Sequence, residues 1–487
     1  MNPLKKLFKQ TFVYGLATVL PRMLSFILVP IYTKVMPNPA LYGEVSVIFA
    51  WFAIFNVFLA YGMETAFFRF FYKADDKDKV ISTSLISIIA TTFLFFAFAL
   101  VFQNSPASWS GIDIKYIEYA IYILALDALV IIPFSWLRAT DKSMRYAIIK
   151  ITNVSINLGL NVFLLIYLPE IVSNNPEGAF KAIYKPDFQI SYIFISNLIA
   201  SGVTLILMLE LYFKNNYVFD VALWKKMMKY AWPVLIAGIA FTINEVFDRI
   251  LLERLLPEDI AVSEIGKYAA CYKLAVFMTL FATGFRLGIE PFFFSHSNSK
   301  NPQKAYAEIT NYFVILGSVI LLSVIVFADV LKIVIIKNES YWEAMPVVPI
   351  LILASFFLGI YHNLSVWYKV TDKTRYGALI SVVGAIITLV INYFGIPLFG
   401  YIASAVATLL AYGTMMFLSY YLGKKNYPIP YNLRKIGFYL AISIVFSILS
   451  FYVFDRNLIA GSILLALFMG ILYKLENEKL RALFLKK

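Results

Sequence analysis

The chain has 487 residues, 61% hydrophobic and 17% aromatic, with only 15% charged and a mean hydropathy of +0.76. That composition excludes an ordinary soluble domain and makes lipid the solvent. The formal net charge of +13 does not mark a nucleic-acid binder, because the basic residues fall in short clusters between apolar runs; no nucleic-acid partner is expected.

A bilayer core about 30 Å thick takes roughly 20 apolar residues per helix, and backbone groups in lipid must be satisfied internally, so each long apolar run reads as a helix. In chain order such runs lie near 11–35, 42–70, 80–103, 116–138, 146–168, 188–213 and 230–253, then near 265–294, 306–328, 346–369, 376–395, 398–422, 434–454 and 457–474. The sequence therefore predicts an all-α integral membrane protein of fourteen transmembrane helices. Met1–Gln10 is basic, but the run behind it is too long for a signal peptide and reads as a retained first helix. Lys and Arg alternate between the two sides of this arrangement, 29 on one face against 9 on the other. The positive-inside rule then places both termini in the cytoplasm.

An internal repeat is the most informative feature. The turn Thr140-Asp141-Lys142-Ser143-Met144-Arg145-Tyr146 recurs about 230 residues later as Thr371-Asp372-Lys373-Thr374-Arg375-Tyr376, each followed by a long helix in which Asn161 and then Asn392 hold the same place. More loosely, Tyr42-Gly43 resembles Ile265-Gly266. Because the offset spans six helices, the copies keep one orientation. They form parallel six-helix lobes, 1–220 and 221–425, followed by two helices and a cytoplasmic tail, 426–487. Parallel repeats facing a central cavity are a transporter architecture.

Little points to catalysis. No Gly-rich phosphate loop followed by Lys and Ser or Thr is present, so any driving force comes from an ion gradient, the membrane potential or the substrate's own gradient. His296 in a turn and His362 alone in its helix read as structural, and the single cysteine, Cys271, reads as a small core residue. Asp75, Asp76 and Asp78 form a solvated turn; no metal site and no cofactor are expected. The longest outer loop, near Pro169 to Asp187, is about twenty residues, too short for the catalytic loop of a membrane glycosyltransferase or polymerase.

Ionisable residues inside helices carry the functional expectation, since an unpaired charge at the bilayer centre costs at least about 2.5–3.5 kcal/mol. Arg22, between Pro21 and Pro30, has no acid within a turn and would face a cavity or pair with Asp127 or Glu64. Glu245 and Arg249 stand at i, i+4 beside Asp248, and Arg286 stands four residues before Glu290, with Lys273 near the start of the same segment. Four cations thus face five anions, Glu64, Asp127, Glu245, Asp248 and Glu290. An Arg can hold a phosphate bidentately, and the acids could exchange H+ or Na+ in a transport cycle. Gly284-Phe285-Arg286-Leu287-Gly288 reads as a close helix-packing motif.

Several segments resemble those of bacterial polysaccharide flippases: Leu4-Lys5-Lys6-Leu7-Phe8-Lys9, Pro21-Arg22, Leu41-Tyr42-Gly43, Gly62-Met63-Glu64-Thr65-Ala66 and Arg138-Ala139-Thr140-Asp141-Lys142 in the first half. Asp248-Arg249, Gly266-Lys267-Tyr268-Ala269 and Tyr272-Lys273-Leu274 extend the likeness into the second. The resemblance implies a member of the multidrug/oligosaccharidyl-lipid/polysaccharide exporter superfamily. It further implies a non-enzymatic transporter of the bacterial cytoplasmic membrane that moves undecaprenyl-pyrophosphate-linked oligosaccharide by alternating access between two lobes. Arg22 and Arg249, then Lys273 and Arg286, would bind the pyrophosphate and sugar; Glu64, Asp127, Glu245, Asp248 and Glu290 would be cavity or ion-coupling acids. Membrane lipids, a polysaccharide polymerase and glycosyltransferases would be its partners. The excess of acids keeps open a proton- or sodium-coupled multidrug or cation antiporter of the same superfamily.

Overall fold

The computed structural model describes Met23 and residues 26–104, 112–214, 217–295 and 301–484, with the side chains of 290, 291, 294, 295 and 477–484 outside that set. Arg22 therefore lies outside the described residues, as does the side chain of Glu290. Every described element is helical. In chain order they are α1 (Phe26–Val35), α2 (Pro39–Ala60), α3 (Met63–Lys73), α4 (Lys77–Val101), α5 (Ile114–Leu129), α6 (Ile131–Ala139) and α7 (Ser143–Val162). There follow α8 (Leu168–Asn174), α9 (Gln189–Lys214), α10 (Val221–Leu255), α11 (Glu258–Tyr272), α12 (Val276–Ser295), α13 (Pro302–Val326) and α14 (Ala328–Ile335). The rest are α15 (Val347–Leu364), α16 (Val366–Val370), α17 (Arg375–Phe399), α18 (Tyr401–Asn426), α19 (Leu433–Ile448) and α20 (Leu458–Phe484).

Among the described residues twelve helical stretches are long and apolar enough to cross a membrane. Of the fourteen segments expected, the first falls largely outside the described residues and is seen as α1, and the seventh is α10, a 35-residue helix with Pro233 inside it.

Several spans are broken rather than continuous. Between α2 and α3, Tyr61 (φ 32°) and Gly62 (φ 74°) adopt left-handed conformations, which glycine accepts without steric cost. A Cβ at Gly62 would lie 2.4 Å from the Ala231 carbonyl oxygen, so this break also seats α3 against α10. The span holding α7 and α8 contains a π-helical turn at Phe163–Tyr167, one residue beyond α7.

The repeat recognised in the sequence is visible in the backbone. Asp141 and Asp372 take φ of 58° and 56°, a left-handed conformation that Asp tolerates better than bulky residues. In each turn the lysine amide closes on a carbonyl five residues back, Lys142 on Leu137 at 2.9 Å and Lys373 on Tyr368 at 2.8 Å. This is the Schellman closure of a helix end. In each turn, too, the threonine hydroxyl donates to a tryptophan carbonyl, Thr140 to Trp136 at 2.8 Å and Thr371 to Trp367 at 2.7 Å.

Contacts divide the chain into two compact units. The first comprises the described residues up to Gly266 with Asn392–Pro397; the second runs from Lys267 to Ile391 and from Leu398 onward. Within the first unit α10 packs on α2 and α3. The entry to α10 is tied in as well. Asp220 caps its first turn by accepting from the Leu223 amide at 2.9 Å and pairs with Lys79 at 2.8 Å. The Lys79 ammonium, helped by that amide, holds the Asp220 carboxyl below its usual range. The tie is therefore present at neutral pH and is lost only as pH falls through the lowered value.

Glycine sets the closest approaches. A Cβ on Gly43 would sit 1.8 Å from the Val262 carbonyl oxygen, and one on Gly266 would sit 1.9 Å from that of Pro39. The contact is reciprocal: each glycine meets the carbonyl four residues before the other. In the second unit Gly317 lies under the Phe356 ring and Gly359 under the Phe313 ring, at 2.2 and 2.4 Å for a built Cβ. Among the described residues, nothing lies within 4 Å of such an atom on Gly284 or Gly288. Among the described residues the motif read as close packing meets no neighbour, and the tight crossings are elsewhere. The second unit also holds α19 to α20 through buried Glu476, which pairs with Lys435 and accepts from the Tyr439 hydroxyl at 2.8 Å.

Gly43→Ala or Gly266→Ala should lower thermal stability in detergent by about 1–3 kcal/mol, the usual overpacking cost. Gly284→Ala should be neutral or stabilising by up to about 1 kcal/mol, because Ala is the better helix former and meets no neighbour. Equal effects at the two sites would contradict the close approach of α2 to α11.

Candidate functional site

A cavity of about 350 Å³ lies within the first unit, bounded by α3, α5, α6, α7 and α9. Each helix presents its polar residues to the cavity at helical spacing. Helix α3 opens with Glu64, just after the left-handed break, so that its carboxylate projects from the first turn. Helices α5 and α6 supply Asp127, Phe134 and Arg138. Helix α7 supplies Tyr146, Lys150 and Asn153, and α9 supplies Asn197, Ser201 and Thr204. Positions separated by three, four or seven residues share one face of a helix, so a row of this kind inside an apolar helix turns one polar stripe toward the interior.

The polar groups are partly satisfied by one another. Arg138 Nη1 donates to Glu64 Oε1 at 2.7 Å, with side-chain exposures of 43% and 45%. Ser201 Oγ donates to Asp127 Oδ1 at 2.7 Å. Asn153 Nδ2 donates to Thr204 Oγ1 at 2.9 Å, and that hydroxyl donates on to the Ala200 carbonyl at 2.8 Å. Lys150 differs: its Nζ lies 4.1 Å from the centre of the Phe134 ring and makes no hydrogen bond or ion pair with another described residue. Among the described residues, the charges that share the cavity with it are those of Asp127, Glu64 and Arg138. The stripe on α7 continues past the cavity, where Asn161 Nδ2 donates to Asn157 Oδ1 at 3.0 Å and Tyr32 donates to Asn161 Oδ1 at 3.0 Å.

The other predicted site residues are placed as follows. Asp248 and Arg249 form a nearly buried ion pair on α10, Nη1 to Oδ1 at 3.0 Å, with side-chain exposures of 5% and 12%. Arg249 Nη1 also donates to the carbonyl oxygen of Glu245, one turn back, at 3.1 Å. This pair is not part of the Glu64–Asp127 cavity wall. Lys273 sits in a 3-10 turn, Lys273–Ala275, between α11 and α12, and Arg286 lies within α12; both are half-buried and belong to the second unit. Cys271 is buried, its Sγ 3.4 Å from the Tyr341 carbonyl oxygen, in keeping with a core residue.

The structure thus joins Glu64 to Asp127 and Asp248 to Arg249, and adds Arg138, Lys150, Asn153, Asn197, Ser201 and Thr204. Arg138 and Lys150 are missed when the basic residues are divided by side, because both fall near the turn at residues 140–142 and count as loop charges. The signal that could have found them is the run Lys150, Asn153, Asn157 and Asn161, a polar stripe at helical spacing in an otherwise apolar helix.

A double-mutant cycle on Glu64→Gln and Arg138→Gln should give a coupling of about 0.5–1 kcal/mol, because both groups are about half exposed. Ser201→Ala should cost more, about 1–3 kcal/mol, by taking the donor from an intramembrane carboxylate. Thermal melts of the purified variants measure both. A coupling near zero would mean that the Glu64–Arg138 contact contributes nothing to the fold.

Known proteins place this architecture. Residues 7–286 match the family model described as polysaccharide biosynthesis protein, and residues 233–394 match the MatE model. No curated protein matches the sequence significantly. Among solved structures, the fold is similar to the lipid II flippase MurJ in an inward closed conformation, with a TM-score of 0.72 at 15% identity, covering 95% of this chain and 99% of that one. It is also similar to an inward-facing multidrug resistance MATE family transporter of the MOP superfamily, with a TM-score of 0.63 at 12% identity, covering 87% of this chain and 99% of that one. A third likeness is to a MOP superfamily transporter from Pyrococcus furiosus whose binding pocket is described as of reverse polarity, with a TM-score of 0.61 at 13% identity over 86% and 95% of the two chains. With more than half of its length matched by the polysaccharide biosynthesis model, the chain belongs to that family and is a multi-pass membrane protein with the fold these solved structures share.

Proposed function

We propose that the protein translocates undecaprenyl-pyrophosphate-linked oligosaccharide, a polysaccharide repeat unit, across the bacterial cytoplasmic membrane by alternating access. The observation that carries this reading is the polysaccharide-family match over residues 7–286, the stretch that contains Arg22, Glu64, Asp127, Arg138, Lys150, Asp248 and Arg249. The physical problem fits that cargo. A pyrophosphate-sugar head cannot cross hydrocarbon unaided, whereas its lipid tail can remain in the bilayer. In this reading Arg22, Arg249, Lys273 and Arg286 bind the pyrophosphate and sugar, since a guanidinium presents paired donors to phosphate oxygens. Glu64, Asp127, Glu245, Asp248 and Glu290 serve as cavity or ion-coupling acids, with H+ or Na+ as the coupled ion. Upstream glycosyltransferases supply the cargo and a polymerase consumes it.

One observation favours a second reading, a proton- or sodium-coupled multidrug antiporter. The MatE model matches residues 233–394.

Reconstitution separates the two. Liposomes holding fluorescent lipid-linked oligosaccharide should lose label from the inner-leaflet pool in a protein-dependent way. Arg249→Ala should slow that loss at least about tenfold, the worth of roughly 1.4 kcal/mol of a charge-assisted contact. Proton-dependent movement of a cationic dye, with the lipid-linked sugar untouched, would instead establish the antiporter.

A further inference from the structure

Four charges meet in the first-unit cavity, two of each sign: Glu64, Asp127, Arg138 and Lys150. Arg138 is committed to Glu64 at 2.7 Å, whereas Asp127 is held at 2.7 Å by a neutral hydroxyl, Ser201. Among the described residues, the charge left to offset the Asp127 carboxylate is Lys150, and it does so without contact, its Nζ resting over the Phe134 ring. A lysine ammonium is a compact point charge on a flexible four-carbon stem, so it can approach and leave a carboxylate without moving its helix. Around it stand the oxygens that a hard monovalent cation prefers, those of Asp127, Ser201, Thr204 and the Asn153 and Asn197 amides. Asn153 spends its amide nitrogen on Thr204, which leaves its carbonyl oxygen to the cavity. The corresponding helix of the second unit, α17, carries no charged residue after Arg375.

We infer that Lys150 is a tethered cation: its ammonium supplies, from the chain itself, the positive charge that a free monovalent cation such as Na+ would otherwise bring to Asp127. The first-unit cavity is then a latent Na+ site that the native chain keeps closed to the free ion. Removing the ammonium leaves an uncompensated carboxylate among oxygen ligands, which opens the site to Na+. The inference concerns the cavity's own chemistry and holds for either cargo, so it fails or stands apart from the flippase reading.

The test is the melting temperature of the purified full-length chain in NaCl against choline chloride at equal ionic strength. Wild type should be indifferent to the ion. Lys150→Met should melt lower in choline chloride and gain about 2 °C or more in saturating Na+, through preferential binding to the folded state. Adding Asp127→Asn should abolish the gain, and Lys150→Arg, which keeps a tethered charge, should remain indifferent. A folded, monodisperse Lys150→Met without Na+ response would overturn the inference. So would an Asp127-dependent Na+ response in the wild type, a comparison that does not require Lys150→Met to fold.

Discussion

Inside a bilayer a charge without a partner is unaffordable, and the arrangement of this protein follows from how it meets that constraint. Three devices recur. Oppositely charged side chains pair, as Arg138 with Glu64 at 2.7 Å and Arg249 with Asp248 at 3.0 Å. A neutral donor serves a carboxylate, as Ser201 does Asp127. Aromatic faces receive cations, as Phe134 receives Lys150 at 4.1 Å and Tyr230 receives Arg69 at 4.3 Å. The first unit gathers these devices around a cavity, which makes that cavity more than a packing defect. An apolar void would serve packing equally well without the desolvation cost of four charges.

Helix packing has to accommodate this polar interior. Side chains removed at Gly43 and Gly266 let α2 and α11 meet backbone to backbone, a contact that van der Waals packing alone can sustain in lipid. The left-handed break at Tyr61-Gly62 turns Glu64 into the cavity rather than along the line of α2. The π-helical turn at Phe163–Tyr167 follows Asn161, where the polar stripe of α7 ends in a hydrogen bond from Tyr32. Local irregularities therefore cluster where a polar group must be aimed, as is common for π-bulges near functional positions.

Much of the fold was legible because membrane helices obey few rules. Apolar length located the helices to within a few residues at most ends; α4, expected at 80–103, runs Lys77–Val101, and α19, expected to begin at 434, begins at Leu433. The Thr-Asp-Lys repeat was legible because the turn needs a residue that tolerates a left-handed backbone, and Asp141 and Asp372 both adopt it. Interior breaks were not legible, since Tyr61 and Val130 interrupt runs of unchanged hydropathy. The site was half legible. Glu64 and Asp127 stand out as acids within apolar runs, but Arg138 and Lys150 lie close enough to a turn to be counted with the solvent-facing charges. Long basic side chains near a helix end ordinarily snorkel to the interface, and here packing from α3, α5, α6 and α9 turns them inward instead. Nor could composition show that Gly284 and Gly288 meet no neighbour among the described residues, for a small-residue motif is identical in sequence whether or not a neighbour fills it.

The central claim is that the α7 and α9 polar stripes line a wet, reachable cavity rather than a dry core. The chain's only cysteine, Cys271, is buried, so a Cys271→Ala background gives a clean thiol-free starting point. Single cysteines at Asn153 and Asn197, reconstituted in liposomes and challenged with a membrane-impermeant thiol reagent on both faces, measure accessibility directly. Both positions should label, with a cysteine at exposed Phe93 remaining unlabelled. Protection at Asn153 and Asn197 equal to that at Phe93, in protein that still folds, would contradict it.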